Sequence, residues 1–404
     1  MPINIVDFLV IGGGIIGISI ARELKSRNPD SIICILEKER QCGLHASGRN
    51  SGVLHAGFYY TADSLKARFT KEGNQRLTEY CEVKNLALKK CGKLVVAQND
   101  SELVWLDELM IRAKNNGVPL ELITAKESQN IEPRAKTYQK ALFSPTTASI
   151  NPTELMESLL SDAIQEGVEL KTNSQYINRL GKHSIKTSNG IIEAKYIINA
   201  AGLYADKIGK DFGFSKDHRI LPFKGLYLYS NESAVTLKTH VYPVPNLINP
   251  FLGVHFTVTT DNKIKIGPTA IPAFWREQYR GWSNFNIPEL TEITLRQAGL
   301  FLSSNFDFKA LAFRELKKYS KPLLVSLAQK LVTGTDIKNF GHWGQPGIRA
   351  QLLNIRKREL EMDFVLEGDQ QSIHILNTVS PGLTCALPFA DYVCDKIEVK
   401  IGEN

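Results

Sequence analysis

Ile5-Val6-Asp7-Phe8-Leu9-Val10-Ile11-Gly12-Gly13-Gly14-Ile15-Ile16-Gly17 is the stretch that decides the fold. An apolar run of strand length enters a glycine turn. Apolar residues then recur at helical spacing over 15–26, until Asn28-Pro29-Asp30 stops them. A second apolar run, 31–36, ends in Glu37. Strand, helix and strand in this order predict a β-α-β unit with parallel strands and a right-handed crossover. Gly12 permits the tight turn, Gly14 lets backbone approach a pyrophosphate, and Gly17 lets the helix close on the sheet. The helix N-terminus offers N–H groups and positive dipole to a phosphate. Glu37 stands where a carboxylate takes ribose hydroxyls. Glycines alone would fit a turn in any α/β fold; glycines, strands, helix and acid in register predict a dinucleotide site.

Composition is in keeping with this. The chain has 404 residues, 43% hydrophobic and 23% charged, which excludes disordered, collagen-like and disulfide-scaffold classes and predicts two or three domains. Its net charge of +7 reads first as a solubility charge spread over a large surface and second as suited to an anionic ligand or an anionic membrane surface; without a Lys/Arg block it argues against nucleic-acid binding. Six cysteines without a C-x-x-C pair read as reduced thiols of a cytoplasmic protein, with no disulfide framework and no metal site. The apolar run 8–21 lies between Asp7 and Arg22 and is too short to span a bilayer, so neither a transmembrane helix nor a signal peptide is expected.

Farther along, 64–81, 102–115 and 152–165 read as helices, the last introduced by Asn151-Pro152. Residues 195–202 read as a buried strand ending in a small-residue turn. Residues 221–269 are strand-rich, 288–333 helical, 372–377 a strand, and a last helix starts near 383. The predicted class is α/β: a Rossmann-like nucleotide domain built from separated segments (1–85, 145–215, 335–404), with an α+β, β-rich substrate domain (86–144, 216–334) inserted. After Glu37 comes Gly43-Leu44-His45-Ala46-Ser47-Gly48-Arg49-Asn50-Ser51-Gly52, a run of small residues able to pass beside a planar ring system. That favours FAD over NAD.

The runs Gly12–Gly17 and 47–57 (Ser-Gly-Arg-Asn-Ser-Gly-Val-Leu-His-Ala-Gly) resemble the L-2-hydroxyglutarate dehydrogenase/oxidase branch of the D-amino-acid-oxidase-like flavoproteins. So do Asn199-Ala200-Ala201-Gly202, Tyr242-Pro243-Val244-Pro245, Pro250-Phe251-Leu252-Gly253-Val254-His255-Phe256-Thr257, Gly347-Ile348-Arg349-Ala350-Gln351 and Ser380-Pro381-Gly382. The family's usual Pro-Phe-Arg-Gly-Glu-Tyr-Tyr is replaced by Pro222-Phe223-Lys224-Gly225-Leu226-Tyr227-Leu228, which loses a guanidinium fork and two polar groups.

The resemblance implies an FAD-dependent oxidation of a 2-hydroxy dicarboxylate, L-2-hydroxyglutarate to 2-oxoglutarate, with quinone or oxygen as electron acceptor. Two other readings stand beside it: an amine or amino-acid oxidase on the same fold, and a flavin-binding protein whose site has decayed at Leu226 and Leu228. For the cofactor the expected residues are Gly12, Gly14, Gly17, Glu37, Ser47, Arg49, Asn50, Ser51 and Gly202. Gly382, Leu383 and Thr384 join them, since the last helix could stabilise charge on reduced flavin. Substrate carboxylates are expected at Arg349, Lys224 and Tyr60. His255 is the preferred general base. The competitor is His55, whose position lies near the ring in the related glycerol-3-phosphate dehydrogenases. The aromatic and basic segment 274–282 reads either as a peripheral contact with an anionic membrane, on the cytoplasmic face, or as an arginine-stacked cluster inside the substrate domain.

Overall fold

The computed structural model describes residues 4–231, 237–245, 251–305 and 307–402. Pro250, the first residue of the run that ends at Thr257, lies outside them. The chain divides into two compact units: 1–50, 152–222 and 349–404 form the first, and 51–151 with 223–348 the second.

The first unit grows from the opening strand. Asn4–Ile11 pairs in parallel with Gly190–Asn199 on one side and Ile33–Leu36 on the other, and Ile33–Leu36 pairs in parallel with Glu169–Lys171. Ser372–Asn377 adds a further parallel partner to Gly190–Asn199, with Val365–Gly368 antiparallel beyond it. Parallel strands covered by crossovers are buried on both faces, and Leu9, Val10, Ile33, Cys34 and Ile35 are fully buried. The Ile15–Arg27 helix packs against Pro152–Gln165 and Ala386–Gly402. Arg22 is anchored to Glu166 and Asp162, and Arg27 to Glu23, Asp395 and Glu398. This is the Rossmann-like arrangement that the opening run predicts.

The second unit is built on an eight-stranded sheet with the order Phe340–Trp343, Leu228–Ser230, Ile264–Gly267, His255–Val258, His240–Pro243, Lys93–Val96, Lys140–Ser144, Glu121–Thr124. One face is apolar throughout: Leu94, Val96, Val241, Phe256, Val258, Ile264, Ile266 and Leu228 pack with Leu324, Val325 and Ala328 of the Lys321–Gln329 helix. The sequence placed 51–85 and 145–151 in the nucleotide domain, whereas they cluster here. The reason is pairing: Val53–Leu54 hydrogen-bonds to Ala148–Ile150, which also holds Leu88–Lys89, and the Leu65–Val83 helix contacts Asp100–Asn116. Likewise 216–222 cluster with the first unit and 335–348 with the second.

Helix ends follow side-chain capping. Ser64 accepts from Ala67 N–H at 3.1 Å, and Asn99 from Glu102 N–H at 3.2 Å. The last helix begins at Ala386, not near 383. Residues 381–385 form a turn in which Cys385 N–H donates to the Pro381 carbonyl at 3.1 Å.

Candidate functional site

In the first unit the predicted cofactor residues gather at the carboxyl ends of the parallel strands, where open α/β sheets bind ligands. Gly12 follows Asn4–Ile11, Glu37 follows Ile33–Leu36, Gly202 follows Gly190–Asn199, and 382–384 follow Ser372–Asn377. The glycines differ in what holds them. Gly12 has φ +116°, and a Cβ there would stand 2.5 Å from the Ala200 carbonyl oxygen. A Cβ on Gly17 would meet the Gly12 carbonyl oxygen at 2.0 Å, and one on Gly382 the Thr378 carbonyl oxygen at 2.1 Å. Gly14, the N-cap of the Ile15–Arg27 helix, has ordinary φ, and its Cβ would meet only the Ser47 hydroxyl, at 3.1 Å. The fold needs Gly12, Gly17 and Gly382; at Gly14 a methyl group asks only that the Ser47 hydroxyl give way slightly. Gly13, which the sequence reading passed over, is also confined, with Cys42 Sγ at 2.4 Å from its would-be Cβ.

Glu37 is buried at the strand end. Its Oε2 accepts from Gly13 N–H at 2.8 Å and its Oε1 from Glu39 N–H at 2.9 Å. Each oxygen keeps acceptor capacity, which suits ribose hydroxyls. The Ser47 hydroxyl accepts from Ile15 N–H at 2.9 Å, so the segment after Glu37 reaches the first turn of the Ile15–Arg27 helix. That segment is a series of turns: Arg49 Nε donates to the Leu44 carbonyl at 2.6 Å, and Asn50 Nδ2 to the Ala46 and Ser47 carbonyls at 3.1 and 2.6 Å. Gly202, at φ +53°, opens a short 3-10 turn with open space where a Cβ would stand. Thr384 is buried and Leu383 half-buried. A cradle whose Gly14 has only the Ser47 hydroxyl near its would-be Cβ, beside a fixed carboxylate and a helix N-terminus, fits the diphosphate and ribose of FAD.

In the second unit the other sheet face carries polar side chains. Pairing of His240 with Lys93, Val241 with Phe256 and Thr257 with Lys265 puts Lys93, His240, Tyr242, His255, Thr257 and Lys265 together on it. All six are buried. His255 stacks on Tyr242, ring centroids 3.6 Å apart and 13° from parallel. Its Nδ1 lies 2.8 Å from the Gly253 carbonyl oxygen. A carbonyl can only accept, so Nδ1 carries the hydrogen and Nε2 presents its lone pair. Burial holds His255 well below the usual imidazole range, despite the hydrogen bond to Gly253, and so keeps it neutral.

Burial first, and the charge of Lys93 second, push His55 down to about 3. His240 is also pushed to about 3, by burial and then Lys93, and its polar atoms are occupied: Val258 N–H donates to Nδ1 at 3.1 Å, and Nε2 lies 3.3 Å from the Ser149 hydroxyl and 3.4 Å from Cys91 Sγ.

Sequence reasoning missed Lys93. Its ammonium lies 4.5 Å from the ring centroids of Phe58 and Tyr59 and 5.0 Å from that of Tyr242. Burial alone lowers it to about 7. Lys265, lowered by burial to about 8, lies 4.6 Å over the Tyr227 ring. The only signal in the sequence was a charge opening an otherwise apolar strand, Lys93-Leu94-Val95-Val96. The hydroxyls of Tyr59, Tyr242 and Thr257 are buried without a well-formed hydrogen bond.

The other predicted residues lie on different elements of the chain. Lys224 is buried in the His218–Gly225 strand, its pKa lowered by burial, and Thr269 Oγ1 donates to its carbonyl at 3.0 Å. Tyr60 is half-buried, with Lys66 Nζ 5.9 Å from its ring centroid. Ser51 accepts a long bond, 3.4 Å, from Val53 N–H. Arg349, half-buried on Gly347–Asn354, belongs to the first unit. Leu228 packs in the apolar face opposite His255, so the family departure there removes nothing from the polar face. In the segment 274–282, Arg276 is fully buried with Glu289 3.8 Å from its Nε, while Trp282 is 76% exposed. His374 and Cys385, read as structural, are both buried, the former between Phe212 and Phe214.

Over residues 7–395 the chain matches the family described as FAD dependent oxidoreductase, DAO. It is 34% identical over 414 residues to the mitochondrial L-2-hydroxyglutarate dehydrogenase of Homo sapiens, covering 97% of this chain and 88% of that one. It is 32% identical over 404 residues to L-2-hydroxyglutarate dehydrogenase of Escherichia coli strain K12, covering 98% and 94%. Among solved structures it is similar to the FAD-bound, dithionite-reduced L-alpha-glycerophosphate oxidase of Mycoplasma pneumoniae, with TM-score 0.78 and 22% identity over 98% of this chain and 95% of that one. Glycine oxidase of Geobacillus kaustophilus gives TM-score 0.73 at 19% identity, again over 98% and 95%. At these identities the two structures speak for the fold alone.

Proposed function

The chain belongs to the DAO family of FAD-dependent oxidoreductases, and from that premise we propose that it oxidises a 2-hydroxy dicarboxylate, L-2-hydroxyglutarate, to 2-oxoglutarate. FAD held by the glycine cradle and Glu37 would supply a two-electron acceptor for the hydrogen on C2. The chain's own residues bind, orient and deprotonate. His255 Nε2 takes the hydroxyl proton as the C2–H bond breaks, leaving a carbonyl. The single observation that carries this role is the Nδ1–H bond to the Gly253 carbonyl, which fixes a buried, neutral imidazole with its Nε2 lone pair available. The nearby His55 is held neutral too, and is assigned to packing beside the ring. Arg349 is assigned the carboxylate next to C2, where a guanidinium gives two parallel hydrogen bonds; Lys224 and Tyr60 complete the substrate contacts. Ser47, Arg49, Asn50 and Ser51 are assigned to the cofactor with the glycine cradle, Glu37, Gly202 and residues 382–384.

The test is anaerobic mixing of the FAD-loaded protein with L-2-hydroxyglutarate while the flavin spectrum is followed, against glycine, sarcosine and proline. Bleaching by the hydroxy acid alone is expected. Bleaching by an amino acid, or by none, overturns the assignment.

For the acceptor and location, we propose a quinone reached by peripheral attachment to the cytoplasmic face of an anionic membrane, with oxygen as the alternative. No described helix is long and apolar enough to cross a membrane. Support comes from Phe274, Trp282 and Phe285, all exposed, beside the exposed Arg280. The buried Arg276 takes no part in it. Salt-reversible co-sedimentation with anionic but not neutral vesicles is expected; no sedimentation leaves oxygen as acceptor.

A further inference from the structure

We propose that Lys93 is a specificity-determining residue of this same site: its buried ammonium receives the second carboxylate of a dicarboxylate substrate and so separates it from 2-hydroxy acids carrying one carboxylate. The inference rests on the 2-hydroxy-acid reading above and deepens it.

Lys93 is 1% exposed, and its ammonium has aromatic rings around it but no carboxylate among the described residues. Burying an ionised ammonium is costly unless it is paired, and ring faces return only part of that cost. Lys265, on the same sheet face, has the charge of Asp261 acting on it, so the imbalance is sharpest at Lys93. A second observation points to the same missing ligand. Tyr59 and Tyr242 have rings that flank the ammonium; the Tyr59 hydroxyl is buried without a hydrogen bond, and the buried Tyr242 and Thr257 hydroxyls have at most a weak contact with each other. Buried polar groups are nearly always satisfied. One positive charge and the Tyr59 hydroxyl, both buried and without an acceptor, with the Tyr242 and Thr257 hydroxyls beside them sharing one contact between two, make a receptor for an anion. Pairing places it on the strands next to His255, whose ring stacks on Tyr242. A substrate presenting its hydroxyl to His255 Nε2 therefore has an unneutralised cation on the same face for its far end.

The experiment uses the FAD-loaded protein. The ratio of kcat/KM for L-2-hydroxyglutarate to that for L-2-hydroxyvalerate, which has the same carbon chain without the second carboxylate, is compared across variants. Glutarate affinity is read separately from the change in flavin absorbance. Lys93→Met is expected to lower the ratio roughly ten- to hundredfold and to weaken glutarate by a similar factor, the loss of one charge-assisted contact. Lys93→Arg should keep part of both. An unchanged ratio in Lys93→Met, or equal loss with the two substrates, overturns the proposal. If the Met variant fails to load FAD, the wild-type protein still decides. Glutarate must bind more weakly as pH rises above about 7, where burial makes Lys93 lose its proton, and in Lys93→Arg the weakening that sets in at about 7 must disappear, leaving only what Lys265 adds near 8. Of the groups facing Lys93, burial keeps His55, His240 and His255 neutral there, Tyr59 and Tyr242 protonated, and Cys91 a thiol up to about 11. Among the described groups facing it only Lys265, near 8, also titrates, and Lys93→Arg leaves it in place. If the wild type oxidises neither 2-hydroxy acid, the proposed function fails, and glutarate binding alone still reads out Lys93.

Discussion

The imidazole of His255 lies face to face with the phenol ring of Tyr242, centroids 3.6 Å apart. The stack, with the Nδ1 bond to Gly253, leaves the ring little freedom to turn, so Nε2 keeps one direction. His255→Ala is expected to slow the limiting rate of anaerobic flavin reduction by about 10²–10⁴ with FAD content retained. His55→Ala should disturb the flavin spectrum more than the rate. A base must be neutral to act, and His255 is held well below 6.5. The acidic limb of the wild-type profile should therefore lie well under 6.5, and should vanish in His255→Ala. Rates that drop only in His55→Ala would exchange the two roles.

The glycines separate fold from ligand. Gly17→Ala drives a Cβ onto the Gly12 carbonyl and should cost about 1–3 kcal/mol or more of stability, flavin or no flavin. Gly14→Ala meets only the Ser47 hydroxyl, so its apoprotein should unfold at the wild-type apoprotein's temperature while FAD binding falls steeply. Full FAD content in Gly14→Ala would show that no pyrophosphate approaches there.

The nucleotide half was legible because its signals are local. Gly12 to Gly17 and Glu37 lie within one β-α-β unit, and each keeps its meaning when the chain folds. The start of the second unit was not legible. Residues 51–85 follow the cofactor segment without a break in composition, and only the pairing of Val53–Leu54 with Ala148–Ile150 assigns them. Lys93 was invisible for the same reason: nothing near it in sequence announces His240 or Tyr242, which a parallel strand brings alongside. At Leu228 the pattern misled, since a lost tyrosine looked like a lost contact and the side chain faces the core.

Acid should destabilise the protein earlier than carboxylate titration alone would. Burial and Lys93 hold His55 and His240 at about 3, and His255 is also depressed, while in the unfolded chain each titrates near 6.5. Below 6.5 the unfolded state binds more protons, so stability falls as pH falls toward 3. His218 runs the other way: hydrogen-bonded chiefly to Glu367, it is raised, and its contribution is full below 6.5 and lost as pH rises through its folded value. Between pH 6.5 and 5 carboxylates contribute little, and a loss of about 1–2 kcal/mol per depressed histidine is expected from urea unfolding. A flat profile in a His218→Gln background would mean that the three histidines are not held neutral.

Lys93 should be a residue that the protein keeps at the expense of stability. Its amine is lowered by burial from 10.5 to about 7. Between those values the unfolded chain holds a proton that the folded chain does not, so stability rises with pH across that window and is lowest below it. Lys93→Met fills the same volume without the charge. It should unfold at higher temperature than wild type at pH 6–7, by an amount on the order of a few kcal/mol, and the advantage should shrink as pH approaches 10.5. Residues retained for a ligand commonly behave this way. Glutarate should close the gap from the other side, stabilising the wild-type protein more than the variant at pH 6, because it supplies the missing carboxylate. A Lys93→Met protein less stable than wild type at pH 6 without ligand would mean that the aromatic rings already balance the ammonium, and that no substrate charge is needed there.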